Sequence, residues 1–75
     1  MSTLPRISGR EAVAVFRGLG YEVDRQRGSL IVLRQAQPPH RRLTIPDHRE
    51  LVKGTLRALI REAGISVEEF VALLR

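Results

Sequence analysis

Residues 21–34 read Tyr21-Glu22-Val23-Asp24-Arg25-Gln26-Arg27-Gly28-Ser29-Leu30-Ile31-Val32-Leu33-Arg34, and this stretch decides the fold. Apolar and polar residues alternate from Tyr21 to Gln26, the period-two signature of a half-exposed strand. Arg27-Gly28 supplies the turn, because glycine enters the positive-φ conformations of tight hairpins without steric cost. Ser29 to Arg34 follows as a second strand, with Ile31 and Leu33 on one face and Leu30, Val32 and Arg34 on the other. Apolar residues on both faces mark it as a central strand. The segment is therefore a β-hairpin carrying Arg25, Arg27 and Arg34.

Upstream, Ser8-Gly9-Arg10-Glu11 is a capping box that opens a helix. Val13, Phe16 and either Ala12 or Leu19 form its apolar stripe, and Gly18 with Gly20 ends it in a left-handed turn. Downstream, Gln35 to His40 contains Pro38-Pro39 and is read as a loop, after which Arg41-Arg42-Leu43-Thr44-Ile45 returns as a third strand stopped by Pro46. A polar connection leads to a helix over residues 54–63, with Leu56, Leu59, Ile60 and Ala63 on one face and Gly64 as its stop. Ser66-Val67-Glu68-Glu69 is a second capping box, opening a short helix that buries Phe70, Leu73 and Leu74. The order is α-β-β-β-α-α, an α+β class with a three-stranded antiparallel sheet packed on helices. The expected core is Val13, Phe16, Val23, Ile31, Leu33, Leu56, Leu59, Ile60 and Phe70, which leaves Leu30 outward.

A chain of 75 residues makes one domain, 1–75, with a small core and marginal stability. It has no cysteine, which excludes disulfides and thiolate metal sites and favours the cytoplasm. His40 and His48 are too few for a zinc cluster. No apolar run approaches the length of a membrane span and no signal-peptide core is present, so a soluble chain is expected. The net charge is +5, and it is unevenly placed: residues 1–42 hold eight arginines against three acids, while residues 43–75 hold five basic and five acidic residues. A one-sided positive field attracts polyanions, so nucleic acid or an acidic protein is the natural partner; an arginine-rich solubilising surface is the plainer alternative.

Four runs carry a family resemblance: Leu4 to Glu11; Gly18-Leu19-Gly20-Tyr21 with Arg25-Gln26-Arg27-Gly28-Ser29; Thr44-Ile45-Pro46-Asp47-His48; and Leu51-Val52-Lys53-Gly54-Thr55-Leu56-Arg57 continuing to Ser66. Together they resemble the HicA, or YcfA-like, toxins of bacterial and archaeal toxin–antitoxin pairs. The Pro-x-His and Lys-Gly-Thr-Leu-Arg runs are the most specific. The resemblance implies a fold like a double-stranded-RNA-binding domain and an mRNA interferase activity, an endoribonuclease needing no metal or cofactor. It also implies neutralisation by a HicB-type antitoxin, with a homodimer or a hetero-oligomer with the antitoxin as the assemblies left open. Arg25, Arg27, Gly28, Ser29, Arg34, Arg41, Arg42 and Lys53 are the candidate RNA-binding residues.

In the family pattern a histidine follows Gly-Ser and is the proposed catalytic residue. Here that position is Leu30. Cleavage by 2′-hydroxyl attack needs proton transfers near neutral pH, which imidazole performs and leucine cannot; general acid–base catalysis is worth about 10²–10⁴-fold. His48, in the matching Pro-Asp-His run, is the substitute candidate; the alternative is that it orders the loop before the next helix or contacts the antitoxin. His40 reads as a surface residue. Ser29 either donates to a phosphate or closes the turn. Lys53-Gly54-Thr55 lacks the upstream glycine of a phosphate-binding loop and reads as a helix start. Glu62, Glu68 and Glu69 occupy cap and solvent positions.

Overall fold

The computed structural model describes residues 4–74. Its elements are α1 (Gly9–Gly18), β1 (Tyr21–Arg27), β2 (Leu30–Gln35), β3 (Arg42–Pro46), α2 (Lys53–Ala63) and α3 (Val67–Leu73), the expected order. The sheet is antiparallel with β2 in the centre, order β1-β2-β3. Both capping boxes form. Glu11 N–H donates to Ser8 Oγ at 3.1 Å while Ser8 N–H donates to Glu11 Oε1 at 2.9 Å, and Ser66 and Glu69 repeat the exchange at 3.0 Å in each direction. Each box satisfies backbone donors that a helix start leaves unpaired. Gly20 (φ 101°) turns the chain after α1, and Gly64 (φ 75°) ends α2 in the left-handed conformation.

The three helices cover one face of the sheet. Ile31 and Leu33 from β2 and Leu43 and Ile45 from β3 point into this layer, where they meet Ala12, Val13 and Phe16 of α1, Leu56, Leu59 and Ile60 of α2, and Phe70 of α3 in one continuous cluster. Phe16 is central: its ring lies 5.8 Å from Tyr21 edge-on and 5.4 Å from Phe70. Ala12 completes the α1 stripe, and Leu19 packs only at its margin. No helix of the described residues is long and apolar enough to cross a membrane.

Four expectations are corrected. Val23 is 48% exposed rather than in the core, because the helices cover β1 only at Tyr21 and leave the rest of that strand extending past them. Leu73 is also exposed: the inward stripe of α3 is Val67, Phe70 and Leu74, spaced three and four residues apart, and Leu73 falls beside it. The hairpin turn is Gly28-Ser29, one residue later than Arg27-Gly28, with Gly28 at φ 58° in the first loop position. The third strand is Arg42–Pro46 rather than 41–45; proline is tolerated at the end of this edge strand, where its missing N–H breaks no ladder bond.

Tyr21 is almost fully buried, and its hydroxyl finds no hydrogen-bond partner among the described residues. Burial raises its pKa above 10.0, with Arg41 opposing and Glu62 adding to the rise. The folded state therefore holds the phenol proton to higher pH than the unfolded chain does. The stability linked to Tyr21 is fully present below pH 10 and is lost as the pH climbs from there through the raised folded-state value. Tyr21→Phe is expected to shift neutral-pH stability by no more than about 1 kcal/mol, since an apolar group of the same shape replaces an unpaired hydroxyl. It should also flatten the alkaline loss. Urea midpoints of both proteins from neutral pH to about pH 11 test this; an unchanged alkaline slope in the variant would place the titrating group elsewhere.

Candidate nucleic-acid interface

The face of the sheet away from the helices is set by a change of parity in β1. Tyr21 pairs with Gln35, Glu22 with Arg34 and Val23 with Leu33; then Arg25 pairs with Val32, Gln26 with Ile31 and Arg27 with Leu30. Asp24 is the extra residue of a β-bulge between the two registers. Without a bulge, strict alternation would put Tyr21, Arg25 and Arg27 on one face, so a core tyrosine would force two arginines toward the helices. The bulge allows Tyr21 in and both arginines out. Cross-strand partners share a face, so the open side consists of three rows: Arg27, Leu30 and Pro46; Arg25, Val32 and Thr44; Glu22, Arg34 and Arg42.

Arg25, Arg27, Leu30, Val32, Arg42 and Thr44 line a shallow concavity on this face. Its floor is aliphatic, Leu30 being 43% exposed, and its rim is guanidinium. Glu22 and Asp24 lie toward the other end of β1, where a second hollow includes Arg34, Gln35 and His40. The positive field is therefore strongest over the hairpin half of the face, nearest Leu30.

The end of β3 is locked beside Leu30. Asp47 N–H donates to Ser29 O at 2.6 Å, continuing the ladder past the turn, and Gly9 N–H donates to His48 O at 2.9 Å. Leu51 N–H donates to Ile7 O at 2.8 Å. The Arg10 guanidinium grips Asp47 with both arms, Nε to Oδ1 at 3.2 Å and Nη2 to Oδ2 at 3.3 Å, and this hydrogen-bonded pairing raises the Arg10 pKa further above its ordinary value. Gly9 is needed here: a Cβ at this position would fall inside contact with the Pro46 carbonyl oxygen. His48 is exposed, two residues beyond Pro46, the register partner of Leu30. Its carbonyl anchors α1 while its ring stays free of any described contact at the Leu30 end of the sheet.

The other candidates scatter. Gly28 and Ser29 form the turn at the edge of the concavity, with Gln26 Nε2 donating to Gly28 O at 3.3 Å. Arg41 is turned toward the helices: its Nη1 donates to Glu62 O at 3.2 Å, tying the loop after β2 to the carbonyl end of α2. Lys53 is exposed at the first position of α2, in the helix layer. His40 is exposed at φ 58°, with Nδ1 3.1 Å from Gln35 O. No cluster of three or more His, Cys, Asp or Glu among the described residues is placed to hold a metal. Sequence reasoning missed the Asp24 bulge, Thr44 on the open face and the Arg10–Asp47 clamp. The one trace of the clamp in the sequence is Gly9, a poor helix former in the first helical position.

Comparison with known proteins agrees with this architecture. Curated proteins give no match. Residues 9–65, three quarters of the chain, match the family described as the HicA toxin of bacterial toxin-antitoxin, and that span runs from the start of α1 to the turn after α2. The chain therefore belongs to the HicA toxin family and is one member of a toxin–antitoxin pair.

Proposed function

We propose that this protein, a single HicA-like domain over residues 1–75, is an RNA-binding toxin whose open sheet face receives the RNA backbone, and that Leu30 leaves it without the acid–base group for cleavage. The observation that carries this reading is the convergence of Arg25, Arg27, Arg34 and Arg42 on one solvent-facing surface around Leu30 and Val32. Guanidinium groups meet phosphate oxygens in bidentate fashion. Messenger RNA as target and a HicB-type antitoxin as partner follow from the family, and both put its action in the cytoplasm. Gly28 and Ser29 add backbone and hydroxyl donors at the tip. Arg41 and Lys53 belong to the helix side and drop out of the proposed contact set.

A second reading has one specific observation behind it: His48 stands at the same end of the sheet as Leu30. In that reading the protein is an mRNA interferase whose base has moved to His48, with Arg27 stabilising the pentacoordinate phosphate.

Fluorescence anisotropy with a labelled RNA tests binding. Four neutralised phosphates give a slope of log K against log salt of about −3. Arg25→Gln combined with Arg42→Gln should reduce the slope by about half and weaken binding at low salt by about tenfold or more. A salt-independent affinity, or one untouched by the double variant, would sink the phosphate-binding reading.

A further inference from the structure

The free edge of β1 is complementary in charge to itself. β1 is one border of the three-stranded sheet, and among the described residues its backbone bonds only to β2. It runs seven residues without proline, glycine or lysine, whereas β3, the other border, is five residues long and ends at Pro46. An edge left in this state is ready to pair with another strand. Charge along β1 is divided: Glu22 and Asp24 come first, Arg25 and Arg27 after them, and none of the four makes an ion pair or side-chain hydrogen bond among the described residues. We infer that two copies of this chain pair antiparallel through β1, about a twofold axis between Asp24 and Arg25, joining their sheets into one of six strands. This pairing is independent of the RNA binding proposed above.

The bulge is what lets the charges meet. Residues directly opposite each other in an antiparallel pair share a face. With unbroken alternation Glu22 and Arg27 would point to opposite faces. The extra residue Asp24 puts both on the open face, Glu22 across from Arg34 and Arg27 across from Leu30. Glu22 of one copy then faces Arg27 of the other, Val23 faces Gln26 on the helix side, and Asp24 faces Arg25 at the axis. Each contact occurs twice by symmetry, which gives four opposite-charge pairs. Moving the axis to Asp24 itself would set helix-side Tyr21 against open-face Arg27. Moving it on, to between Val23 and Asp24, matches faces again but leaves only the two pairs of Glu22 with Arg25. A bulge normally bends an edge away from an incoming strand; here the identical bulge of the second copy lies against it across the axis. Val23, 48% exposed beyond the helices, is covered in the pairing by Gln26 of the second copy. The contact is narrow, one strand from each copy, and falls short of the roughly 1,200 Å² of a stable interface, so the dimer is weak, with Kd on the order of 10–100 µM, and sensitive to salt.

Sedimentation equilibrium of the intact protein, from about 10 µM to about 1 mM at low salt, reads the assembly. Wild type should pass from monomer to dimer over this range, and about 0.5 M salt should raise the Kd at least about fivefold. Glu22→Arg and Arg27→Glu should each stay monomeric where wild type is dimeric, because each sets like charges opposite each other. Mixed in equal amounts, the two variants should form the dimer that neither forms alone, since every altered position then meets its opposite; this rescue also shows that both are folded. A chain carrying both changes should dimerise as wild type does. Leu73→Ser, at the exposed apolar residue of α3, should leave the dimer unchanged. A wild type that stays monomeric throughout would overturn the inference, as would a mixture that stays monomeric. A dimer that Leu73→Ser abolishes and Glu22→Arg does not would place the contact on the helix side and overturn it equally.

Discussion

Gly9→Ala should cost the fold about 3 kcal/mol or more, lowering the melting temperature by roughly 15 °C, whereas Gly54→Ala should raise stability by about 0.5–1 kcal/mol. Both glycines sit in first turns of helices, where alanine is intrinsically the better residue. They differ in what a Cβ meets. At Gly54 there is nothing within 4 Å. At Gly9 the added carbon would collide with the Pro46 carbonyl oxygen and lie 3.0 Å from Pro46 C and 3.3 Å from Asp47 Cα, all of it backbone that cannot rotate away. Relief requires the end of β3 to move from α1. That motion breaks the Gly9 N–H to His48 O bond and strains the Arg10–Asp47 clamp and the Asp47 N–H to Ser29 O bond. Each of these holds the Leu30 end of the open face, so the variant should also weaken the RNA binding proposed for that face. A total stability of 5–15 kcal/mol is typical of domains, and one this small belongs near the lower end, so the loss is a large fraction of the whole. Thermal and urea unfolding of the two variants decide the matter; a Gly9→Ala midpoint equal to wild type would mean that the α1–β3 junction yields cheaply.

The same junction shows where sequence reasoning reaches and where it stops. Signals confined to a few neighbouring residues were legible. Ser8 with Glu11 and Ser66 with Glu69 cap helices through bonds three residues apart, Gly64 stops α2, and Leu56, Leu59 and Ile60 mark one face by spacing alone. Inward Ile31 and Leu33 and outward Leu30 followed from alternation in β2, which has no irregularity. In β1 alternation failed. Two remote demands, Tyr21 in the core and Arg27 closing the turn with Leu30, have opposite parity, and only the paired register reveals that Asp24 absorbs the difference. Arg41 illustrates the same limit. Beside Arg42 in the chain it reads as a second arginine of the basic surface, yet its guanidinium reaches Glu62, 21 residues away, with Gly64 leaving it room. The family resemblance covers what such local signals cannot, the toxin class of the chain, which the match over residues 9–65 establishes.

On the function proposed above, Leu30→His is expected to give the protein an RNA-cleaving activity that wild type lacks. Position 30 is on the open face at the start of β2, directly opposite Arg27 on one side and Pro46 on the other. Leu30 is partly exposed and outside the core, so an imidazole fits there with little effect on folding. Its nearest charged neighbours, Arg27 and Arg25, disfavour the protonated ring and should hold its pKa at or below the ordinary value of about 6.5. At neutral pH the ring would then be largely unprotonated, the form that accepts a proton from an attacking 2′-hydroxyl, while Arg27 stabilises charge on the phosphate. With labelled mRNA and a metal chelator present, wild type should give no product above the protein-free control. Leu30→His should cleave at least about 10²-fold above that level, with a rate that falls as the pH drops through the imidazole pKa. Leu30→Asn is the control for polarity, since it offers hydrogen bonds without proton transfer, and it should stay inactive. His48→Ala should alter neither result. The outcome that would reverse the argument is cleavage by wild type that His48→Ala abolishes: the base would then be His48, reached across the end of β3, and Leu30 would be a floor residue of an active nuclease.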